Sequence, residues 1–349
     1  MNEQLLQRII SIISNPVHSE REVLYQLRHV LYETEVERNL KNESKDIRLL
    51  LNEDIDLIQN GTKQQLMIPT GFADFDKFFG GFAYGELVVL GGRPGMGKTL
   101  LLVNMTLNIS VKIPVLYFTL DVSETSLSYR FLSSASRIPL QRLLQNELTE
   151  EERTGLNSVM ERMDSLQIFV NDSSNNSISA LRLQCVKHIN ENGVRVIIID
   201  YLQLMTSNRY RSSREQELCY ICQELKSLAK EYNVCVIATS QLSRAVESRI
   251  NSKKPMLSDL RESGGIEQSA DKVMFLFRPD YYGFATLEDG SSSEFAAELI
   301  LAKNRNGAIG EILLSRDLGF TNFSDAVSST MNFNFFKNRL DEINDEDVF

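Results

Sequence analysis

The chain is poor in the features that would take it out of the ordinary globular class. Its 349 residues include only four cysteines, Cys185, Cys219, Cys222 and Cys235. That is too few for a disulfide scaffold, and a chain of this length buries a core without one. No apolar run approaches the roughly 20 residues that a membrane-crossing helix needs. The N-terminus, MNEQLLQRIISII, has no basic segment ahead of its apolar stretch and no small-residue cleavage site. This reads as a cytoplasmic protein without a signal peptide or membrane association. Cys219 and Cys222 form a CxxC, but no second CxxC or histidine pair completes a zinc site. Leu218, Ile221, Leu225 and Leu228 recur around it at helical spacing, so the thiols are expected on an apolar helix face. No internal repeat is present.

Residues 1–60 contain no glycine and a single proline, Pro16. Their apolar residues follow helical spacing: Leu5, Leu6, Ile9, Ile10 and Ile13, then Val23, Leu24, Leu27 and Leu31, then Ile47, Leu51, Ile55 and Ile58. Two or three short amphipathic helices are expected, ending at Asn60-Gly61. So short a region builds little core alone, and its apolar faces dock either on this chain or on a neighbouring subunit.

From about residue 66 the pattern becomes α/β. Apolar β-rich runs at 86–92, 115–120, 168–170, 194–200, 234–240, 272–278 and 296–304 alternate with helical stretches at 100–111, 123–136, 177–191 and 214–232. Runs that are apolar throughout belong to strands buried on both faces of a parallel sheet covered by helices. Residues 207–214 and 283–294 read as mobile loops, and 337–349 as an acidic tail.

One motif carries specific chemistry. Gly92-Arg93-Pro94-Gly95-Met96-Gly97-Lys98-Thr99 fits GxxxxGK[ST], after an expected strand and before an expected helix. Glycines let backbone N–H groups turn inward around a phosphate, and the helix N-terminus adds partial positive charge. Lys98 reaches the β and γ phosphates of ATP, and the Thr99 hydroxyl ligates Mg²⁺. Val196–Ile199 then delivers Asp200 to the C-terminal edge of a buried strand, the place for a carboxylate that holds Mg²⁺ through water. Asp121 follows the run ending at Leu120, on a strand expected beside the phosphate-loop strand, and is the candidate to orient water. Ser240-Gln241 ends the run Val236–Thr239, and Gln241 is the candidate to sense the γ phosphate.

The stretches TGFADFDKFFGGF (70–82), GGRPGMGKT (91–99), LYFTLD (116–121), IIIDYLQLM (197–205), SQLSR (240–244), SDLRESGGIEQSAD (258–271) and AKNRNGAIG (302–310) resemble the C-terminal motor domain of bacterial and phage replicative DNA helicases of the DnaB type. The resemblance covers about 66–325. It implies a RecA-like P-loop NTPase with a mostly parallel central sheet flanked by helices, preceded by a short helical segment. It implies ATP and Mg²⁺ at Lys98, Thr99 and Asp200, and a nucleotide-to-DNA link at Gln241. Lys303 and Arg305 match the basic pair that completes a neighbouring subunit's ATP site, with Arg305 as arginine finger. Arg261, Glu262 and Gly264 match the loop that grips single-stranded DNA. The implied assembly is a homo-oligomeric ring, a hexamer, with a helicase loader as a further partner.

Two departures stand out. Asp121 occupies the position of the family's usual glutamate, one methylene shorter. Only about 65 residues precede the motor, with 45–60 resembling the linker helix that docks on the next subunit and the first 40 too few for the collar that receives primase. The expected organisation is therefore 1–65 helical with a linker, 66–330 motor and 331–349 tail. The expected function is an ATP-dependent DNA helicase. The alternatives are a RecA-like accessory ATPase of recombination or mobile-element replication, and a nucleotide-binding assembly factor with little turnover.

Overall fold

The computed structural model describes residues 3–13, 22–23, 26–27, 30, 46–59, 67–207, 209, 213–249 and 253–326, with the side chains at 3–6, 8, 53, 54, 57 and 261–264 outside that description. The chain divides into two compact units, Met1–Gln64 and Gln65–Phe349. In the first, helices span Glu3–Ile13 and Ile47–Gln59; the expected stop at Asn60-Gly61 lies outside the described residues. Most of the expected helix around Val23–Leu31 lies outside the described residues, as does the acidic tail.

The second unit is built on strands β1 (Met67–Ile68), β2 (Phe82–Ala83), β3 (Leu87–Gly92), β4 (Val115–Thr119), β5 (Ile168–Asn171), β6 (Val196–Asp200), β7 (Cys235–Gln241), β8 (Lys272–Phe277), β9 (Ala296–Asn304), β10 (Gly310–Arg316) and β11 (Phe323–Asp325). The last nine form one sheet in the order β11-β10-β9-β8-β3-β7-β6-β4-β5. Strands β8 through β5 in that order are parallel, and β9, β10 and β11 continue the sheet antiparallel. This is the expected mostly parallel α/β architecture.

Strand β3 shows why the runs are apolar throughout. Successive side chains point to opposite faces. Val88 and Leu90 pack with Leu101, Leu102, Met105 and Phe131 on one side. Leu87 and Val89 pack with Ile221, Leu225 and Leu228 of the helix Arg214–Tyr232 on the other. Cys222 is buried on that helix and Cys219 is half-buried, as the helical spacing predicts.

One expectation needs correction, and the fold holds elements beyond the expected ones. The strand ahead of Asp121 does not lie beside the phosphate-loop strand: β7 and β6 intervene between β3 and β4. Long helical crossovers let a parallel strand insert at a distant position, so sequence proximity does not fix the order. Residues 283–294 form a loop, as expected, closed by a turn in which Leu287 N donates to Ser291 O at 2.8 Å and Gly290 N to Leu287 O at 3.0 Å. Strands β10 and β11 and the helices Ala73–Phe79, Leu140–Gln145 and Glu150–Met163 were not anticipated. The last buries only Val159 and is held at its start by a capping box, Thr149 and Glu152 bonding each other's backbone N–H.

At the base of the sheet Lys272 and Glu86 form a fully enclosed ion pair, 2.6 and 2.7 Å, with side chains 2% and 5% exposed. Removing one partner strands a charge. Lys272→Met is expected to lower stability by about 3–5 kcal/mol, read as a fall in the urea midpoint. Lys272→Met combined with Glu86→Leu should recover much of that loss, and an unchanged midpoint in the single variant would contradict the pairing.

Candidate nucleotide site

Strand β3 ends at Gly92, residues 93–97 turn, and the helix Lys98–Ser110 begins. The turn needs glycine at two places. Gly95 has φ +82°, and a Cβ there would lie 3.1 Å from the Tyr281 ring. Gly97 has φ +99°, with Phe320 and Phe323 at the same distance. Met96 is buried. The Arg93 guanidinium turns away, donating to Leu242 O at 2.8 Å and pairing with Glu247 at 2.9 Å. Arg93 and Met96 therefore offer the cradle backbone only, and the charged group inside it is Lys98.

Lys98 Nζ folds back onto Gly92 O at 2.7 Å and Arg93 O at 3.2 Å. Burial pulls its pKa down to about 8, Asp200 opposes that shift, and Arg93 adds to it. Asp200, at the end of β6, is buried. Its carboxylate accepts hydroxyls from Thr99 at 2.7 Å, Thr239 at 2.5 Å and Tyr117 at 3.3 Å. Burial and the Asp200 charge drive the Tyr117 phenol pKa well above its usual range. This oxygen-only set suits a hard cation such as Mg²⁺, for which Thr99 and Asp200 are the candidate ligands.

A cavity of about 550 Å³ opens over these groups, lined among others by Lys98, Thr99, Asp121, Asp200 and Gln241. Asp121 thus reaches the site although its strand is remote from β3, because parallel strands all end on the same edge. Gln241 also lines a second cleft of about 370 Å³ shared with Arg93, Arg244, Asp259 and Leu260. Sequence reasoning missed two neighbours. Gln203 clamps the Gln241 backbone, its Oε1 accepting from Gln241 N at 3.2 Å and its Nε2 donating to Ser240 Oγ at 2.9 Å. Arg130 lines the cavity, and its buried Nε has no hydrogen bond among the described residues. The one basic residue of the helix Glu124–Ser136 was the available signal.

Lys303 and Arg305 lie at the other end of the sheet. Lys303 pairs in register with Val273, at the start of β8, and Arg305 N donates to Asp271 O at 2.9 Å. Asp271 in turn exchanges backbone and side-chain hydrogen bonds with Leu87, the first residue of β3. The length of β3, roughly 17 Å at about 3.3 Å per residue, separates this basic pair from the phosphate cradle of its own chain. The side chains of Arg261 and Glu262, and the surroundings of Gly264, lie outside what the structure describes. Their backbone runs from a 3₁₀ segment, Leu257–Ser263, into the helix Gly264–Ser269.

A glycine-rich cradle, an adjacent lysine and a strand-end aspartate on one edge of this sheet define a P-loop NTPase of RecA-like fold. The DnaB-like helicase C terminal domain family matches residues 67–325, and the chain belongs to it. A probable replicative DNA helicase of Trieres chinensis is 44% identical over 74% of this chain and 57% of its own length. The replicative DNA helicase DnaB of Geobacillus stearothermophilus is 38% identical over 78% and 59%. The chain thus spans a little under three fifths of these two relatives. A solved ATPase domain superposes with TM-score 0.75 at 31% identity, covering 81% of this chain and 100% of its own. A DnaB-like replicative helicase, described with its interactions with primase, superposes with TM-score 0.72 at 29% identity, covering 93% and 75%. No helix among the described residues is long and apolar enough to cross a membrane.

The lowered pKa of Lys98 has a measurable consequence. A bound triphosphate stabilises the charged amine, so binding takes up a proton once the free group titrates. ATP affinity is expected to be level below about pH 8 and to fall, by up to about tenfold per unit, as pH rises beyond it. Titrations with a fluorescent ATP analogue check this; affinity that stays flat or rises above pH 8 would contradict it.

Proposed function

We propose that this chain is the motor of an ATP-dependent DNA helicase that moves along single-stranded DNA as a homo-oligomeric ring, a hexamer, in the cytoplasm. The observation that carries the reading is the separation of the phosphate cradle from Lys303 and Arg305 by the length of β3. Cations so placed are useless to their own site and available to a neighbouring copy. Residues 66–330 form the proposed motor. The helix Ile47–Gln59, with Ile47, Leu51, Ile55 and Ile58 exposed, is the proposed linker of the 1–65 segment. A loader is a proposed further partner.

In this reading the backbone amides of 92–99 and Lys98 bind and orient the triphosphate. Mg²⁺, held at Thr99 and Asp200, supplies charge neutralisation at the phosphates. Asp121 orients water or takes its proton. Arg305 of the adjacent copy stabilises charge developing on the transferred phosphoryl group. Gln241, lining both the nucleotide cavity and the second cleft, links nucleotide state to the segment carrying Arg261, Glu262 and Gly264, the proposed DNA contact. Relatives named as replicative helicases favour this reading over an accessory ATPase or an assembly factor.

Arg305→Ala is expected to cut DNA-stimulated ATP turnover by about a thousandfold or more while nucleotide binding to the isolated subunit is retained. Asp121→Glu should keep or raise turnover. Steady-state ATPase assays with and without single-stranded DNA, with unwinding of a forked duplex, check both. An undiminished Arg305→Ala rate would remove the shared site, and binding without turnover in the wild type would favour the assembly factor.

A further inference from the structure

The two cations proposed to act on a neighbouring site are held within their own chain in a specific way. Lys303 Nζ donates to the carbonyl of Glu267, and Arg305 Nη2 to the carbonyl of Gln268. Both carbonyls close the helix Gly264–Ser269, where the orphaned C=O groups attract cations. The helix packs closely on a neighbouring one. A Cβ on Gly265 would lie 2.3 Å from Cys219 Cβ, on the helix Arg214–Tyr232. Just beyond the helix stands Asp271, 5% exposed. Its Oδ2 is saturated from the core side by Leu87 N at 2.7 Å and Lys226 Nζ at 2.6 Å. Its Oδ1 faces Arg305, with Nη1 at 3.5 Å, and its backbone oxygen accepts from Arg305 N. Arg305 is 45% exposed in its side chain. One carboxylate oxygen is thus anchored to the first residue of β3, and the other is turned to a half-exposed guanidinium.

Resting on the reading of Arg305 as the cation lent to the next subunit, we propose that Asp271 is its positioning residue. With the last carbonyls of the helix Gly264–Ser269, it fixes the direction in which Arg305 is presented. Because that helix continues the segment 257–263 bearing Arg261 and Glu262, a shift of that segment on DNA carries Glu267 O and Gln268 O with it. DNA held by one subunit then alters turnover in its neighbour's site through the cation, without involving its own phosphate loop. The proximity of Lys303 to Arg305 fits this: burial and the neighbouring guanidinium lower the Lys303 pKa, so the pair relies on these acceptors to sit together.

The experiment compares Asp271→Asn with Lys226→Gln in the full chain. Both remove the same buried ion pair, and only Asp271 touches Arg305. Asp271→Asn is expected to reduce the DNA-stimulated kcat by about tenfold, well short of the loss on deleting the cation itself. Its KM for ATP and its affinity for single-stranded DNA should stay near wild type. Lys226→Gln should keep the stimulation, and Asp271→Glu, which retains the charge for both partners, should restore most of it. Mixing supplies a readout that a merely structural role would not move. Asp271→Asn subunits have an intact nucleotide site, so assembly with Lys98→Ala subunits, whose Arg305 is intact, should recover stimulated turnover. Equal losses in Asp271→Asn and Lys226→Gln, or no recovery on mixing, would overturn the positioning role. If Asp271→Asn fails to fold, loss of stimulation in a folded Lys226→Gln protein still overturns it. A wild-type rate indifferent to Arg305→Ala would instead defeat the shared-site reading on which this rests, and that control separates the two failures.

Discussion

The structure depends on one strand that sees no solvent. Leu87–Gly92 is buried along its whole length, with helices packed on both faces, so its two ends are fixed relative to each other. One end releases the chain into the phosphate loop. The other is tied by Leu87 to Asp271, and next to it Glu86 is locked to Lys272. Enclosed ion pairs are weak sources of net stability but costly to break singly, which makes them good at fixing register. The strand therefore acts as a spacer of set length between the group that receives a triphosphate and the cations proposed to act on another one.

Electrostatics sharpen that division. Lys98 is desolvated and rests on backbone carbonyls that only partly replace water, which depresses its pKa. A polyanion entering the cradle relieves this cost, so the site is poised for phosphate before any contact to the base is considered. Asp200 is the counterpart: its buried carboxylate accepts from three hydroxyl donors. At the far end the cations rest on helix carbonyls and a single carboxylate oxygen, contacts that a competing anion on a neighbouring molecule can replace.

Much of this was legible in the sequence, for identifiable reasons. Phosphate loops and strand-end aspartates are local features, written in consecutive residues with little freedom in spacing. Accordingly Gly92–Thr99 and Val196–Asp200 sit where the motifs require, and the apolar runs became strands, buried except for β5 at the sheet edge and the last residues of β7 and β9. Strand order was not legible. Asp121 arrives at the cavity from a strand two places beyond β7, because crossover helices hide adjacency. β10 and β11 were missed because β10 alternates buried and half-buried positions, with mixed residues to match, and β11, at the sheet edge, is only three residues long. Asp271, Lys226, Gln203 and Arg130 were missed because each gains its meaning from a partner distant in sequence, such as Leu87 for Asp271 or the Gln241 backbone for Gln203. Gln203 and Asp271, within the resembling stretches, and Lys226 and Arg130, outside them, all looked like ordinary polar residues.

The central claim is that a complete catalytic site takes its phosphate cradle from one copy and its arginine from another. Mixing two variants that are each inactive, Lys98→Ala and Arg305→Ala, tests it most directly. A site formed by the Arg305→Ala subunit's intact cradle and the Lys98→Ala subunit's intact arginine contains every required group. Turnover on single-stranded DNA is expected to return in the mixture and in neither parent. A mixture that co-assembles and stays inactive would contradict the account.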